Sequence, residues 1–127
     1  MKYLLDTHVV LWSFSKEGLL SKKAVHAIMD PANRKYVSIA SAWELAIKIG
    51  TGKLTFEGGV ELFFQTVRES GFVLLPIRRK HIQTLETLPF LHRDPFDRIL
   101  IASAMTDNMC LITADTNIRL YDVVSLW

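Results

Sequence analysis

The apolar positions of this chain fall into two alternating kinds of segment, short unbroken runs and longer stretches with helical spacing. The first run, KYLLD at residues 2–6, ends in an acid, and THVVLWSF continues from it with no turn signal. A buried strand feeding directly into a helix is predicted, with Asp6 at the junction. Residues 21–30 have a Ser21 cap, apolar positions at 24, 25 and 28, and Pro31 beyond, which predicts a surface-facing helix. The β-rich run YVSIA, 36–40, leads into SAWELAIKIG, where Ser41 and Glu44 stand in capping-box spacing and Gly50 supplies a stop. Val60, Phe63, Phe64 and Val67 then recur at helical spacing up to Gly71, and FVLLP reads as a strand closed by Pro76. Residues 77–88 read as a helix with apolar positions at 82, 85 and 88, ended by Pro89. A helix over 95–107, a strand MCLIT at 109–113, a short helix begun by Asp115 and a last strand VVSL complete the chain.

Strands that are nearly continuous in apolar residues, alternating with helices, predict a parallel sheet covered on both faces. The fold class is α/β, as one domain over 1–127, because no linker, repeat or low-complexity tract divides it. At 127 residues such a chain buries a sizeable core without disulfides or structural metal. The net charge of +2 excludes a polycation, so any basic surface must be local. Cys110 lies in an apolar run and is expected to pack as a small hydrophobe. The histidines show no HxxxH spacing, which argues against zinc. Asp6 follows only a three-residue apolar run, so no signal peptide is expected, and no stretch reaches membrane length. A reducing, cytoplasmic setting is the expectation.

The most informative stretch is HRDPFDRILIASA, residues 92–104. Asp94 is a good N-cap, Pro95 suits the first helical position, and Asp97 falls in the first turn, where the helix dipole favours an anion. The apolar run from Ile99 to Ala102 then predicts a helix packed between other elements, with Asp97 at the mouth of the core. Asp6, Glu44 and Asp115 each lie just beyond a predicted strand. Segments leaving the carboxyl ends of parallel strands share one edge, where ligands bind, so all four acids converge there. Each acid alone reads as a cap, yet Ser, Thr or Asn caps as well, and four acids exceed what capping asks for. Crowded carboxylates repel one another unless a cation offsets them. Mg²⁺ or Mn²⁺ suits such oxygen ligands, and the chemistry implied is phosphodiester hydrolysis by a positioned water. The glycine-rich loop 50–59 fails as a phosphate cradle, because Ile47 and Leu54 stand where that motif needs Gly and Ser or Thr.

With YLLDTHVVLW, SIASAWELAIKIGTGKL, LPFLHRDPFDRILIASA and LITADTNIRLY in place, the chain resembles a PIN-domain ribonuclease, and within that family the toxin of a VapBC-type toxin and antitoxin pair. The resemblance implies a three-layer α/β/α fold with a parallel sheet in the order 3-2-1-4-5. It assigns Asp6, Glu44, Asp97 and Asp115 as catalytic, metal-binding acids, and implies Mg²⁺- or Mn²⁺-dependent endoribonuclease activity on RNA. It further implies a homodimer and inhibition by a cognate VapB-like antitoxin. His8 stands where many relatives have Asn or Ser.

Arg98, Arg93 and Thr113 are candidate substrate contacts, with an ion pair the other role open to Arg98 and turn bonding the other role open to Thr113. Thr7 and Thr113 are candidates for orienting a carboxylate or water, and Asp94 reads as a cap in preference to a fifth, outer acid. Arg78, Arg79 and Lys80 form the only run of three basic residues, and Lys48 and Lys53 flank the glycine-rich loop. His92 reads as a substrate contact or a loop-packing residue. Trp12 and Trp43 read as core or interface residues, and Phe63 with Phe64 as a core-facing stripe. The rival from another class is a non-catalytic RNA-binding or regulatory module, which the four acids disfavour because they repel RNA. A phosphohydrolase with Asp6 as nucleophile would want a second Asp at position 8, where His8 stands, and a phosphorelay receiver lacks its paired acids.

Overall fold

A computed structural model describes all 127 residues. Five strands, β1 (Lys2–Leu5), β2 (Arg34–Ser38), β3 (Val73–Leu75), β4 (Cys110–Ile112) and β5 (Ser125–Leu126), form one sheet in the order β3-β2-β1-β4-β5. Every pairing is parallel, with Leu4 opposite Tyr36 on one side and Leu111 on the other. Six helices surround it: α1 (Thr7–Phe14), α2 (Lys22–Met29), α3 (Ile39–Gly50), α4 (Gly59–Glu69), α5 (Arg79–Thr87) and α6 (Pro95–Thr106). The expected α/β class and strand order are both observed.

Strand alternation divides the interior into two cores. Tyr3, Leu5, Cys110 and Ile112 point into one, built with Val9, Val10, Ala24, Leu45, Phe63 and Val67 from α1 to α4. Leu4 and Leu111 point the other way, against Leu100, Ile101 and Ala104 of α6, with Leu88, Ile118 and Tyr121. Cys110 and Phe63 therefore pack as expected, and Trp12 lies partly buried beside the first core. No helix is long and apolar enough to cross a membrane.

Two helix starts differ from the sequence reading. Helix α3 begins at Ile39, taking over the end of the expected strand, and its cap is Ser38, whose hydroxyl accepts from the Ala40 N–H at 3.0 Å. Ser41 is thus inside the helix and fully buried, its hydroxyl 2.8 Å from that of Thr7, so no Ser41–Glu44 capping box exists. Ser38, three residues earlier, takes the cap, while Ser41 is consumed by packing α1 onto α3. Asp115 likewise begins no helix: a single 3-10 turn covers Ile118–Leu120, and the Asp115 Oδ1 accepts from the Asn117 N–H at 2.8 Å in the preceding turn. Helix α4 starts from Gly58, whose φ of 86° and near approach to Leu62 leave no room for a Cβ.

Candidate active site

Asp6 sits between β1 and α1, Glu44 in the second turn of α3, Asp97 in the first turn of α6, and Asp115 just after β4. Asp6 and Glu44 are buried, and Asp97 and Asp115 are half-buried. Their mutual field is large. Burial first, then the carboxylates of Asp94, Asp6, Asp115 and Glu44, push the Asp97 carboxyl up to about 8. Burial also raises Asp6, opposed by the Thr113 hydroxyl, His8 and the Thr7 N–H, and reinforced by Asp115.

Capping does not explain these acids. Asp6 occupies the cap position of α1 yet makes no cap hydrogen bond. The cap of α6 is Asp94, which accepts from the N–H groups of Phe96 and Asp97 at 2.9 and 3.1 Å. Instead, each of the four acids has one oxygen held by a protein donor. The Thr113 hydroxyl donates to Asp6 Oδ2 at 2.8 Å, and Lys48 Nζ stands 2.9 Å from Glu44 Oε2. His92 Nε2 stands 3.2 Å from Asp97 Oδ2, and the Asn117 N–H holds Asp115 Oδ1. No fully buried side-chain oxygen in the protein lacks a partner, so the second oxygens are bonded or open to solvent, and no side chain bonds them.

Two of these donors are themselves fixed. Thr113 is fully buried and its hydroxyl also accepts from the Asp115 N–H at 3.0 Å, so one side chain sets both Asp6 and the turn carrying Asp115. Buried as it is, Thr113 does not reach a substrate, and of its expected roles the positioning one is the one the structure shows. Thr113→Val should cost about 1–3 kcal/mol of stability, read as a lowered urea midpoint, because it strands the Asp115 N–H and an Asp6 oxygen; Thr113→Ser should cost much less.

The second fixed donor is His92. The Tyr121 oxygen receives N–H groups from Leu91 and His92, both at 3.1 Å, and from Arg98 Nη1 at 2.9 Å. The same oxygen lies 2.9 Å from His92 Nδ1, and the other ring nitrogen faces Asp97, so the imidazole is clamped between the phenol and the carboxyl. Burial alone would raise the Tyr121 phenol, but the hydrogen bonds from His92, Leu91 and Arg98 prevail and bring it down to about 8. This tie also corrects the reading of Arg98, which reaches Tyr121 and the carbonyls of Pro89 and Leu88 and lies 4.8 Å over the Phe90 ring. Its guanidinium faces inward, forms no ion pair, and is spent on the loop before α6 rather than held out to a phosphate. Arg93 remains exposed. Arg78 is drawn to Asp107 at the far end of α6 from Asp97, which removes the 78–80 run from the acids.

No three carboxylates, histidines or cysteines stand close enough to close around one ion. The donor set nevertheless fits Mg²⁺ or Mn²⁺, which bind hard oxygens through one or two carboxylates and keep several waters. Four partly held acids, one pushed up to about 8 by its neighbours, also make a site whose charge a divalent cation would relieve.

Fold and site define a class, an all-parallel α/β domain covered on both faces, with acids gathered at the carboxyl edge of its sheet. The family model of the PIN domain matches residues 3–124, and the chain belongs to that family. Solved structures share the fold. One is a complex of VapBC2 from Rickettsia felis bound to a DNA fragment from their promoter, with TM-score 0.75 and 15% identity over 99% of this chain and 98% of that one. VapBC-1 from nontypeable Haemophilus influenzae matches with TM-score 0.67 and 17% identity over 99% and 97%. A toxin–antitoxin complex from Klebsiella pneumoniae matches with TM-score 0.62 and 21% identity over 98% and 96%. No curated protein matches the chain.

Proposed function

We propose that this protein is a metal-dependent endoribonuclease that serves as the toxin of a toxin–antitoxin pair. The observation that carries the enzymatic part is the half-held state of Asp6, Glu44, Asp97 and Asp115, each with one oxygen fixed by the protein and no side chain bonded to the other. The cap Asp94 is held by backbone N–H groups, whereas Asp6, Glu44 and Asp97 are each held by another side chain, and each keeps an oxygen that no side chain bonds. One or two of these acids would hold Mg²⁺ or Mn²⁺ directly while the ion keeps its waters, and when bound it would supply a positioned water and offset charge on the phosphate. Thr113 and His92 keep Asp6 and Asp97 in fixed orientations, so the site is organised before substrate arrives. The test is cleavage of a mixed RNA preparation with Mg²⁺, Mn²⁺ or EDTA. Metal-dependent cutting is expected, and RNA binding indifferent to EDTA with no cutting would favour a non-catalytic binding module.

The toxin part is supported by the likeness to toxin–antitoxin complexes, and it brings a VapB-like antitoxin, an RNA substrate and a cytoplasmic setting with it. A homodimer is supported by α3, where Trp43, Ala46, Ile47 and Gly50 form an exposed stripe at helical spacing. Trp43 is 59% exposed and stacks edge-on against Phe96 at 5.1 Å, so it is not a core residue, which supports the interface role. Trp43→Glu should convert a dimer to a monomer in light scattering; an unchanged mass would move the interface elsewhere.

A further inference from the structure

Helix α3 carries Glu44 and, one turn later, Lys48. Their pairing at 2.9 Å is open to a modest reading, since a Glu followed four residues on by a Lys is a common helix-stabilising pair. Three observations exceed that reading. The Glu44 side chain is only 8% exposed, so the pair is turned toward the acid cluster and not outward along the helix surface. Besides Glu44, the carboxylates of Asp94 and Asp97 at the start of α6 act on the Lys48 ammonium, which places it between the two helices. It is also the only Lys or Arg paired with any of the four acids, Arg98 being tied to the loop before α6 and Arg78 to Asp107. A third of the Lys48 side chain still meets solvent.

An ammonium has three N–H donors, and Glu44 occupies one. Resting on the nuclease reading above, we propose that Lys48 is a catalytic residue that donates a hydrogen bond to a non-bridging oxygen of the scissile phosphodiester while it holds Glu44. Four carboxylates repel a polyanion, and a cation on the protein side of the cluster lets the backbone approach. As water adds to phosphorus, one P–O bond forms and the bond to the departing ribose oxygen breaks. The water's proton passes through solvent to that leaving oxygen, and Lys48 keeps all three of its own. Its contribution is electrostatic, strongest where negative charge gathers on the phosphoryl oxygens.

The test compares wild type, Lys48→Met and Lys48→Arg on one fluorescein-labelled, mixed-sequence single-stranded RNA of about 20 nucleotides, whose binding reports each lost phosphate contact as a change of about 0.7 in the salt slope. Binding is read by anisotropy across a salt series in EDTA, where no cleavage competes, and cleavage under single turnover with Mn²⁺. Lys48→Met should lower the salt slope by about 0.7 and slow single-turnover cleavage by about 100-fold, the usual cost of losing one charge-stabilising donor. Lys48→Arg should keep the slope and recover part of the rate, and circular dichroism should show all three equally folded. If Lys48→Met stays within about twofold in rate with an unchanged slope, the pair only supports the helix and the proposal is overturned. If wild type cuts nothing while the slope still falls, the nuclease reading fails and the phosphate contact stands. If wild type cuts nothing and the slope is unchanged, both are overturned.

Discussion

Asp97→Asn is expected to abolish RNA cleavage, by about 10³-fold or more, and at the same time to make the metal-free protein more stable. The two effects have one cause. Asp97 is partly buried in the field of Asp94, Asp6, Asp115 and Glu44, and burial first, then that field, pushes its carboxyl up to about 8. The amide has the same shape, can hydrogen-bond His92 in either role, and brings no charge into the cluster. A gain of about 1–3 kcal/mol, seen as a higher melting temperature in EDTA, is the scale such a shift allows after screening. A purely structural Asp97 would behave oppositely, losing stability on substitution and leaving RNA cleavage untouched. Most substitutions at half-buried polar positions destabilise, so a stabilised, inactive variant is a specific signature of a ligand site.

The second large effect is a pH dependence that divalent ions cancel. Because the Asp97 carboxyl is raised in the folded protein from 3.8 to about 8, the native state binds the extra proton across that interval and the unfolded chain does not. Stability from this group is therefore fully present below about pH 4 and is lost as pH rises toward 8. Asp6 is raised as well and acts in the same direction. Tyr121, lowered to about 8, works the other way, adding stability only above that pH, which leaves pH 5 to 8 as the window to examine. In EDTA the melting temperature should fall across this window. Mg²⁺ should raise it more at pH 8 than at pH 5, since the ion takes the deprotonated carboxylate. An ion-induced shift equal at both values would mean that the ion binds away from Asp97.

Much of this architecture was legible from pattern alone, and the reasons can be located. β1 and β4 carry unbroken apolar runs because both faces of a central parallel strand are buried, and Asp94–Pro95 specifies a helix start so strongly that tertiary context does not move it. Three of the four acids stood out for their position after strands, which depends only on chain order. Less legible was which of two serines caps α3, since Ser38 and Ser41 differ only in what packs against them. Arg98 misled for a related reason. Its neighbour Asp97 suggested a phosphate contact, while its true partners, Tyr121 and the carbonyls of Leu88 and Pro89, lie in a loop and a segment far along the chain. Tyr121 had one available signal, a polar handle in an apolar setting that needed partners. Nothing in local spacing announced that Thr113 joins Asp6 to Asp115.

That last link spans 107 positions, from the first strand to the fourth. Asp6 leaves the ribosome early, but its oxygen finds its partner only after β4 has been translated and has docked against β1. Asp115 follows two residues later and its N–H bonds the same Thr113 hydroxyl, so neither Asp6 nor the turn carrying Asp115 is set until the first and fourth strands have docked, however much of the intervening chain has already folded.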